Sequence, residues 1–321
     1  MSHRLSNERF PRSSKYCPEW ILENGYGANP QWLAEWLCAE MDLQAGMRVL
    51  DIGCGRAKSS LFLAKEFGVQ VWATDLWVQS SENWLRIKDA GEEHAVFPIH
   101  ADARTLPFAA EFFDAIVAMD SYQYFGTDDG YLNYLIQFVK PGRRIGIASA
   151  GLMKGFDGPI PEHLARLWTP GAWTIHTFDW WRYHWDRTGL VDVKLTDAMA
   201  GGCQHWLQWA TACADCADWY SEMLAKDQGE YLGYVRVVAR RKTDVILDEH
   251  CWPNTLRSLP ITYEKKPLLA SETRAHRKPR GELRMVSPAF FQWWINPIAM
   301  VLVLLAGSGS VLTAGSRRQS R

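Results

Sequence analysis

Apolar and polar positions along the chain follow two alternating rhythms: short, nearly unbroken apolar runs, and stretches with apolar residues every third or fourth place. The runs Arg48–Ile52, Gln70–Thr74, Val96–His100, Phe112–Asp120 and Arg144–Ser149 read as buried strands. Between them, Leu61, Phe62, Leu63, Ala64 and Phe67 share one helical face that stops at Gly68. Further helices are predicted over Ser81–Lys88 and Gly130–Val139, and residues 191–196 and 231–239 read as closing strands. Strand and helix in turn predict an α/β sheet with helices on both faces. Pro98 places the third strand at an edge, where a missing donor is tolerated. Ahead of the sheet, Asn29-Pro30 reads as the cap and first position of a helix through Met41, with Trp32, Leu33, Trp36 and Leu37 on one side. After the fifth strand, Asp179 is the expected cap of a helix from Trp180 to Thr188, and a longer helical pattern runs from Gln204 to Leu224.

Composition narrows the setting. At 47% hydrophobic and 22% charged, the chain is globular in character, and a net charge of −1 gives no basic field for nucleic acid. The 7 cysteines are scattered, and the chain opens on Met1-Ser2-His3-Arg4 rather than an apolar leader, so a reducing, cytoplasmic setting is expected. Cys213 and Cys216, with Cys203 and His205, have the residue types of a zinc site, but they fall inside the helical pattern and are read as packed helix residues, with no metal. The expected division is a lid segment over 1–45, the sheet domain over 46–242 with an insertion at 151–190, a linker over 243–285, and an apolar segment over 286–316. That last segment carries no charge, and Ile295–Ala314 has about the length of a bilayer core. Trp293, Trp294 and the basic run upstream suit attachment to the cytoplasmic face of a membrane, whereas Asn296, Pro297 and Gly-Ser-Gly-Ser weaken a span.

The chemistry concentrates after the first strand, in Asp51-Ile52-Gly53-Cys54-Gly55-Arg56-Ala57-Lys58. Gly53 and Gly55 permit a tight turn and close approach to a ligand. A dinucleotide fingerprint would carry a third glycine where Lys58 stands, and Asp51 would repel a pyrophosphate while suiting a cation. The order acidic residue, x, Gly, x, Gly, x, Gly/Ala resembles motif I of class I S-adenosylmethionine-dependent methyltransferases of the small-molecule type. Three more elements keep that resemblance in step: Asp102-Ala103 ahead of Leu106-Pro107-Phe108, Phe113-Asp114 opening the fourth strand, and Lys140-Pro141-Gly142 before the fifth. Together they cover roughly residues 45–242. The resemblance implies a Rossmann-like seven-stranded sheet in the order 3-2-1-4-5-7-6 with the last strand antiparallel, and S-adenosyl-L-methionine as cofactor. It assigns Asp51, Gly53, Cys54 and Gly55 to the cofactor turn, Asp75 to the ribose hydroxyls with Leu76 beside the adenine, and Asp102 and Ala103 to the adenine.

In an open α/β sheet the reacting groups lie beyond the carboxyl ends of the strands. Asp120 and Tyr124, at and after the end of the fourth strand, should therefore border the transferred methyl. The insertion, with His163, Trp168, Trp173, His176, Trp180, Trp181, His184 and Trp185, is expected to form the acceptor pocket. Its tryptophans suit a cation–π wall, and His184 is the candidate general base. Asp120-Ser121-Tyr122 lacks the prolines of nucleobase-amine methyltransferases. The acceptor is thus expected to be a small molecule, an amine or a hydroxyl, as in the resembling enzymes that methylate glycine, sarcosine or phosphoethanolamine. Two other readings stand beside this one: an anchored lipid methyltransferase or cyclopropane-synthase-like enzyme, and a cofactor-binding regulatory subunit without catalysis.

Overall fold

The computed structural model describes residues 5, 7–23, 28–213 and 218–247. The linker beyond 247, the apolar segment 286–316 and Cys216 lie outside them. Seven strands form one sheet: β1 Arg48–Ile52, β2 Gln70–Asp75, β3 Val96–His100, β4 Phe113–Met119, β5 Val139–Leu152, β6 Val191–Ala198 and β7 Leu232–Arg241. Their order is β3-β2-β1-β4-β5-β7-β6, as the motif resemblance implied. β1 pairs in parallel with β2 and β4, and β7 is antiparallel to both its neighbours. Pro98 lies on the edge strand β3, opposite Ala73.

Helices cover both faces. α2 (Pro30–Cys38), α3 (Lys58–Phe67), α4 (Ser80–Asp89), α7 (Gly202–Ala212) and α8 (Asp218–Asp227) bury apolar residues on one side, with Leu33, Leu61, Ile87, Trp209 and Leu224 in that core. α5 (Tyr131–Ile136) and α6 (Phe178–Asp186) close the other side over Leu50, Ile116, Ile147 and Val237. A short α1 (Pro18–Glu23) lies at the amino end.

The sequence-based boundaries shift at several places, and α5 stops at Ile136 rather than Val139. α2 stops at Cys38 rather than Met41. Asn29 caps it as expected, accepting from the amides of Gln31 and Trp32. The Lys140-Pro141-Gly142 turn is absorbed into β5 as a bulge: Phe113 pairs with Val139, Ala115 with Arg144, and Gly142 takes φ +76°. α6 begins at Phe178, two residues earlier than expected, because Thr177 caps it by accepting from the Trp180 amide at 3.1 Å. Asp179 is then a first-turn residue, exposed to solvent. The single helix expected through Leu224 is two, since the Cys213 backbone turns extended and ends α7.

Candidate active site

The turn after β1 is held by its neighbours in three dimensions. Gly53 and Cys54 donate their amides to the Thr74 carbonyl at 2.7 and 3.0 Å, and the Gly55 amide donates to Asp75 Oδ2 at 2.8 Å. Gly53 has φ +69°, and a Cβ there would stand 2.4 Å from Cβ of Ser121, so glycine is required twice over. Ser121 Oγ donates to the Ile52 carbonyl at 2.6 Å, tying the end of β4 to that of β1. Ala57, at the third-glycine position, also adopts the left-handed region, with φ +58°.

Beyond the carboxyl ends of β1, β2 and β4 lies a cavity of about 580 Å³ lined by Gly53, Asp75, Leu76, Trp77, Asp102, Ala103, Arg104, Ser121, Tyr124 and Phe125. Thr127, Asp128, Pro170, Gly171 and Thr174 also line it. A second cavity of about 50 Å³ is lined by Gly53, Cys54, Gly55, Arg56, Lys58, Asp75, Asp120, Ser121 and Tyr124, among others. Gly53, Asp75, Trp77, Ser121 and Tyr124 border both, so the two are ends of one cleft.

Asp75 sits between the ends. Its Oδ1 accepts from the amides of Trp77 and Val78 at 2.8 and 2.9 Å. Burial raises its carboxyl above the ordinary range, against those backbone bonds. Gln79 occupies the cap position of α4, so Asp75 organises the turn before the helix and not its first residue. Asp102 meets Arg104 in a bidentate pair, with Nε on Oδ1 at 2.8 Å and a terminal nitrogen on Oδ2 at 2.6 Å. Burial pulls its carboxyl upward, but the bonds from Arg104 outweigh it and the net direction is down. The Ala103 carbonyl accepts from the Tyr131 hydroxyl at 2.9 Å.

Asp120 adopts φ +52°, unusual for a side chain with a Cβ. Its carboxylate accepts from the amides of Ala28 (3.0 Å) and Ala150 (3.3 Å) and from Gln123 Nε2 (3.1 Å), joining the N-terminal segment to β4 and β5. Burial raises its carboxyl as well. Tyr124 closes a short 3₁₀ turn and lines both ends of the cleft.

Two expected site residues lie elsewhere. Asp51 is fully buried and is not among the residues lining either cavity. Its Oδ2 accepts from Ser59 and Ser60 at 2.6 and 2.7 Å, while Oδ1 is buried without a partner. Burial pushes its carboxyl up to about 6. The acid facing the turn is therefore Asp75, and Asp51 instead braces the start of α3 from beneath. His184 is 4% exposed and also absent from both linings. Its Nε2 lies 3.0 Å from the Gly126 carbonyl and its ring stacks on Trp180, which stacks on His176. Trp181 and Trp185 are wholly buried around Tyr122, Trp173 is exposed to solvent, and none of the insertion's tryptophans lines either cavity. The insertion reaches the cleft instead through Pro170, Gly171 and Thr174.

Ser121, Phe125, Arg104 and Lys58 also line the cleft without having been singled out from sequence for a site role. Ser121 was detectable as the small residue following β4. In the N-terminal segment the Tyr16 hydroxyl donates to Glu66 at 3.2 Å. Cys203 packs near the Leu224 carbonyl and Asp227, and His205 lies against Phe10, Trp32 and Asn7. Among the described residues no helix is long and apolar enough to cross a membrane.

The cleft fits S-adenosylmethionine. A glycine turn with left-handed backbone lies below it, carboxylates stand at the tip of β2 and after β3, and an apolar residue, Leu76, stands beside them. Comparison with known proteins agrees. Residues 49–142 match a family described as methyltransferase domain. The chain is 33% identical over 173 residues to methyltransferase GfsG of Streptomyces halstedii, a match covering 51% of this chain and 60% of that protein. It is 33% identical over 132 residues to O-methyltransferase resE of Aspergillus sclerotiorum, covering 40% and 48% respectively. The chain thus spans about half the length of these curated relatives. Phosphoethanolamine N-methyltransferase 2 of Haemonchus contortus, solved with S-adenosylhomocysteine, superimposes with a TM-score of 0.57 at 17% identity, over 75% of this chain and 60% of that one. That likeness speaks for the fold alone. Turn, topology and relatives together mark residues 49–142 as a methyltransferase domain, in a sheet similar to that of S-adenosylmethionine-dependent methyltransferases.

Proposed function

We propose that this chain transfers a methyl group from S-adenosylmethionine to a small-molecule acceptor carrying an amine or a hydroxyl. The observation that supports it most is the single cleft at the carboxyl ends of β1, β2 and β4, which collects the glycine turn, Asp75, Asp102, Asp120 and Tyr124. The cofactor, when bound, supplies an electrophilic methyl group on a sulfonium, so the protein's task is to position and to exclude water. Asp75 and Leu76 would hold the ribose and adenine, with Asp102 and Ala103 at the adenine's far edge. Asp120 and Tyr124 would border the methyl, and the wall from Phe125 to Thr127 with Pro170–Thr174 would hold the acceptor roughly 3–3.5 Å from it. His184, with its Nε2 committed to the Gly126 carbonyl, is better suited to fixing that wall than to taking a proton. The O-methyltransferase among the relatives favours a hydroxyl acceptor.

Calorimetry of the full chain with S-adenosylhomocysteine, followed by an acceptor panel read by S-adenosylhomocysteine release, tests the proposal. Binding in the micromolar range and turnover of at least one amine or alcohol are expected. Absence of binding overturns it, and binding without turnover across the panel favours a regulatory subunit.

A further inference from the structure

Lys58 stands where a dinucleotide fingerprint would have its last glycine, and the roles described so far leave it unused. It is the first residue of α3, only 2% exposed, and it lines the smaller end of the cleft beside Gly53, Gly55 and Asp120. Its Nζ donates to the Trp20 carbonyl and stands over the Trp20 ring, 3.1 Å from the centroid. Among the described residues no carboxylate lies within 4.0 Å of it. A buried ammonium with a neutral carbonyl and a ring as partners is costly, because neither restores what water gave it. Burial accordingly lowers its pKa to about 7. On the wall of the same cavity, Asp120 is a half-buried carboxylate whose hydrogen-bond donors are all neutral. One small cavity therefore presents a cation and an anion that are not paired with each other.

The adenosine end of the cofactor is accounted for by Asp75 and Asp102, in the larger cavity. What remains is its amino-acid end, a zwitterion, and the remaining space is the small cavity. We propose that Lys58 holds the carboxylate of the cofactor's amino-acid end, with Asp120 facing its ammonium. This assignment rests on the cofactor reading above. Lys58 touches the ligand's carboxylate and takes no part in the transfer itself.

The test compares two ligands that differ at that end only: S-adenosylhomocysteine, and 5′-methylthioadenosine, which keeps the adenosine and the thioether but lacks the amino acid. Calorimetry on the full chain should show Lys58→Met weakening S-adenosylhomocysteine about 10- to 100-fold, the range of one charge-assisted hydrogen bond. The same variant should leave 5′-methylthioadenosine within about threefold, and Lys58→Arg should restore most of the loss. Equal weakening of both ligands, or none of either, overturns the assignment. If Lys58→Met fails to fold, wild-type protein decides. The groups facing Lys58 are Glu23 of α1, Cys17 ahead of it, Arg56 of the turn and Arg86 of α4, with Asp75 and Asp120 across the cavity. At pH 8, in buffers of different ionisation enthalpy, S-adenosylhomocysteine should bind with proton uptake as the ammonium is restored, and 5′-methylthioadenosine without it. Equal uptake for both overturns the assignment. Wild type that binds 5′-methylthioadenosine but not S-adenosylhomocysteine overturns it alone, whereas binding of neither ligand overturns the cofactor reading too.

Discussion

The turn after β1 and helix α6 make opposite use of their side chains. The turn is built from small residues and looks chemically poor, yet Gly53, Cys54 and Gly55 line the cleft. α6 carries Trp180, Trp181, His184 and Trp185 within nine residues and looks chemically rich, yet none of the four lines either cavity. The difference is topological. The turn follows a central parallel strand and opens at its carboxyl end, where the sheet's crossovers leave a crevice. α6 lies against β6 and β7 on one face, where Trp181 and Trp185 fill the space around Tyr122. Residue types report what a segment could do, and its place on the sheet decides whether it meets a ligand.

Four substitutions would break or sharpen this contrast. Trp181→Ala should be the most damaging, lowering stability by about 3–5 kcal/mol in thermal or denaturant unfolding, as for a large ring deleted from a packed core. A variant with normal unfolding but lost acceptor affinity would return α6 to the pocket. Asp51→Ala should cost about 2–4 kcal/mol, since two buried serine hydroxyls lose their acceptor. Asp51→Asn keeps an oxygen and should cost far less. The pH dependence separates them further. With its carboxyl raised from 3.8 to about 6, folded protein retains a proton that the unfolded chain has released. That contribution to stability is present in full below pH 3.8 and fades as pH rises through about 6. In Asp51→Asn this component of the pH profile should vanish.

Gly53→Ala comes next, at about 1–3 kcal/mol of backbone strain, with S-adenosylhomocysteine affinity falling in calorimetry. Its clash is with Ser121, so adding Ser121→Gly should recover part of the loss. Full affinity in the single variant would show that the turn does not carry the ligand. The smallest effect is expected from His184→Gln, whose amide can still donate toward the Gly126 carbonyl. Methyl transfer should stay within about threefold and its pH profile should keep its shape. A drop of a hundredfold with loss of one limb of the profile would restore the histidine as a base.

Much of the fold could be read directly from the chain. The first four strands fell within two residues of their predicted ends, whereas β5 begins early through a bulge at Gly142 and runs past Ser149 to Leu152. Helix ends were harder wherever the cap was set by a neighbouring hydroxyl, as Thr177 displaced Asp179. Of the residues expected at the carboxyl ends of the strands, Gly53, Asp75, Asp102, Ala103 and Tyr124 border the larger cavity, whereas Cys54, Gly55 and Asp120 line only the smaller end. Asp51, expected at the cofactor turn, lines neither cavity, because it precedes the turn in a strand whose side chains alternate between faces. Sequence gave its position, whereas its facing was settled by Ser59 and Ser60.

What the chain determined by itself is local and periodic: where strands and helices run, where the backbone must turn left-handed, and through a familiar motif order, which strand lies beside which. What only the tertiary structure decided is which of these side chains meet. Ser121 closes over Gly53, Trp20 receives Lys58, and Gly126 receives His184, across separations of 68, 38 and 58 residues. No rhythm of apolar positions encodes such pairings, because they depend on how the layers pack once the sheet exists. The fold was therefore written in short-range pattern, while the division of labour among its polar groups was fixed by packing at long range.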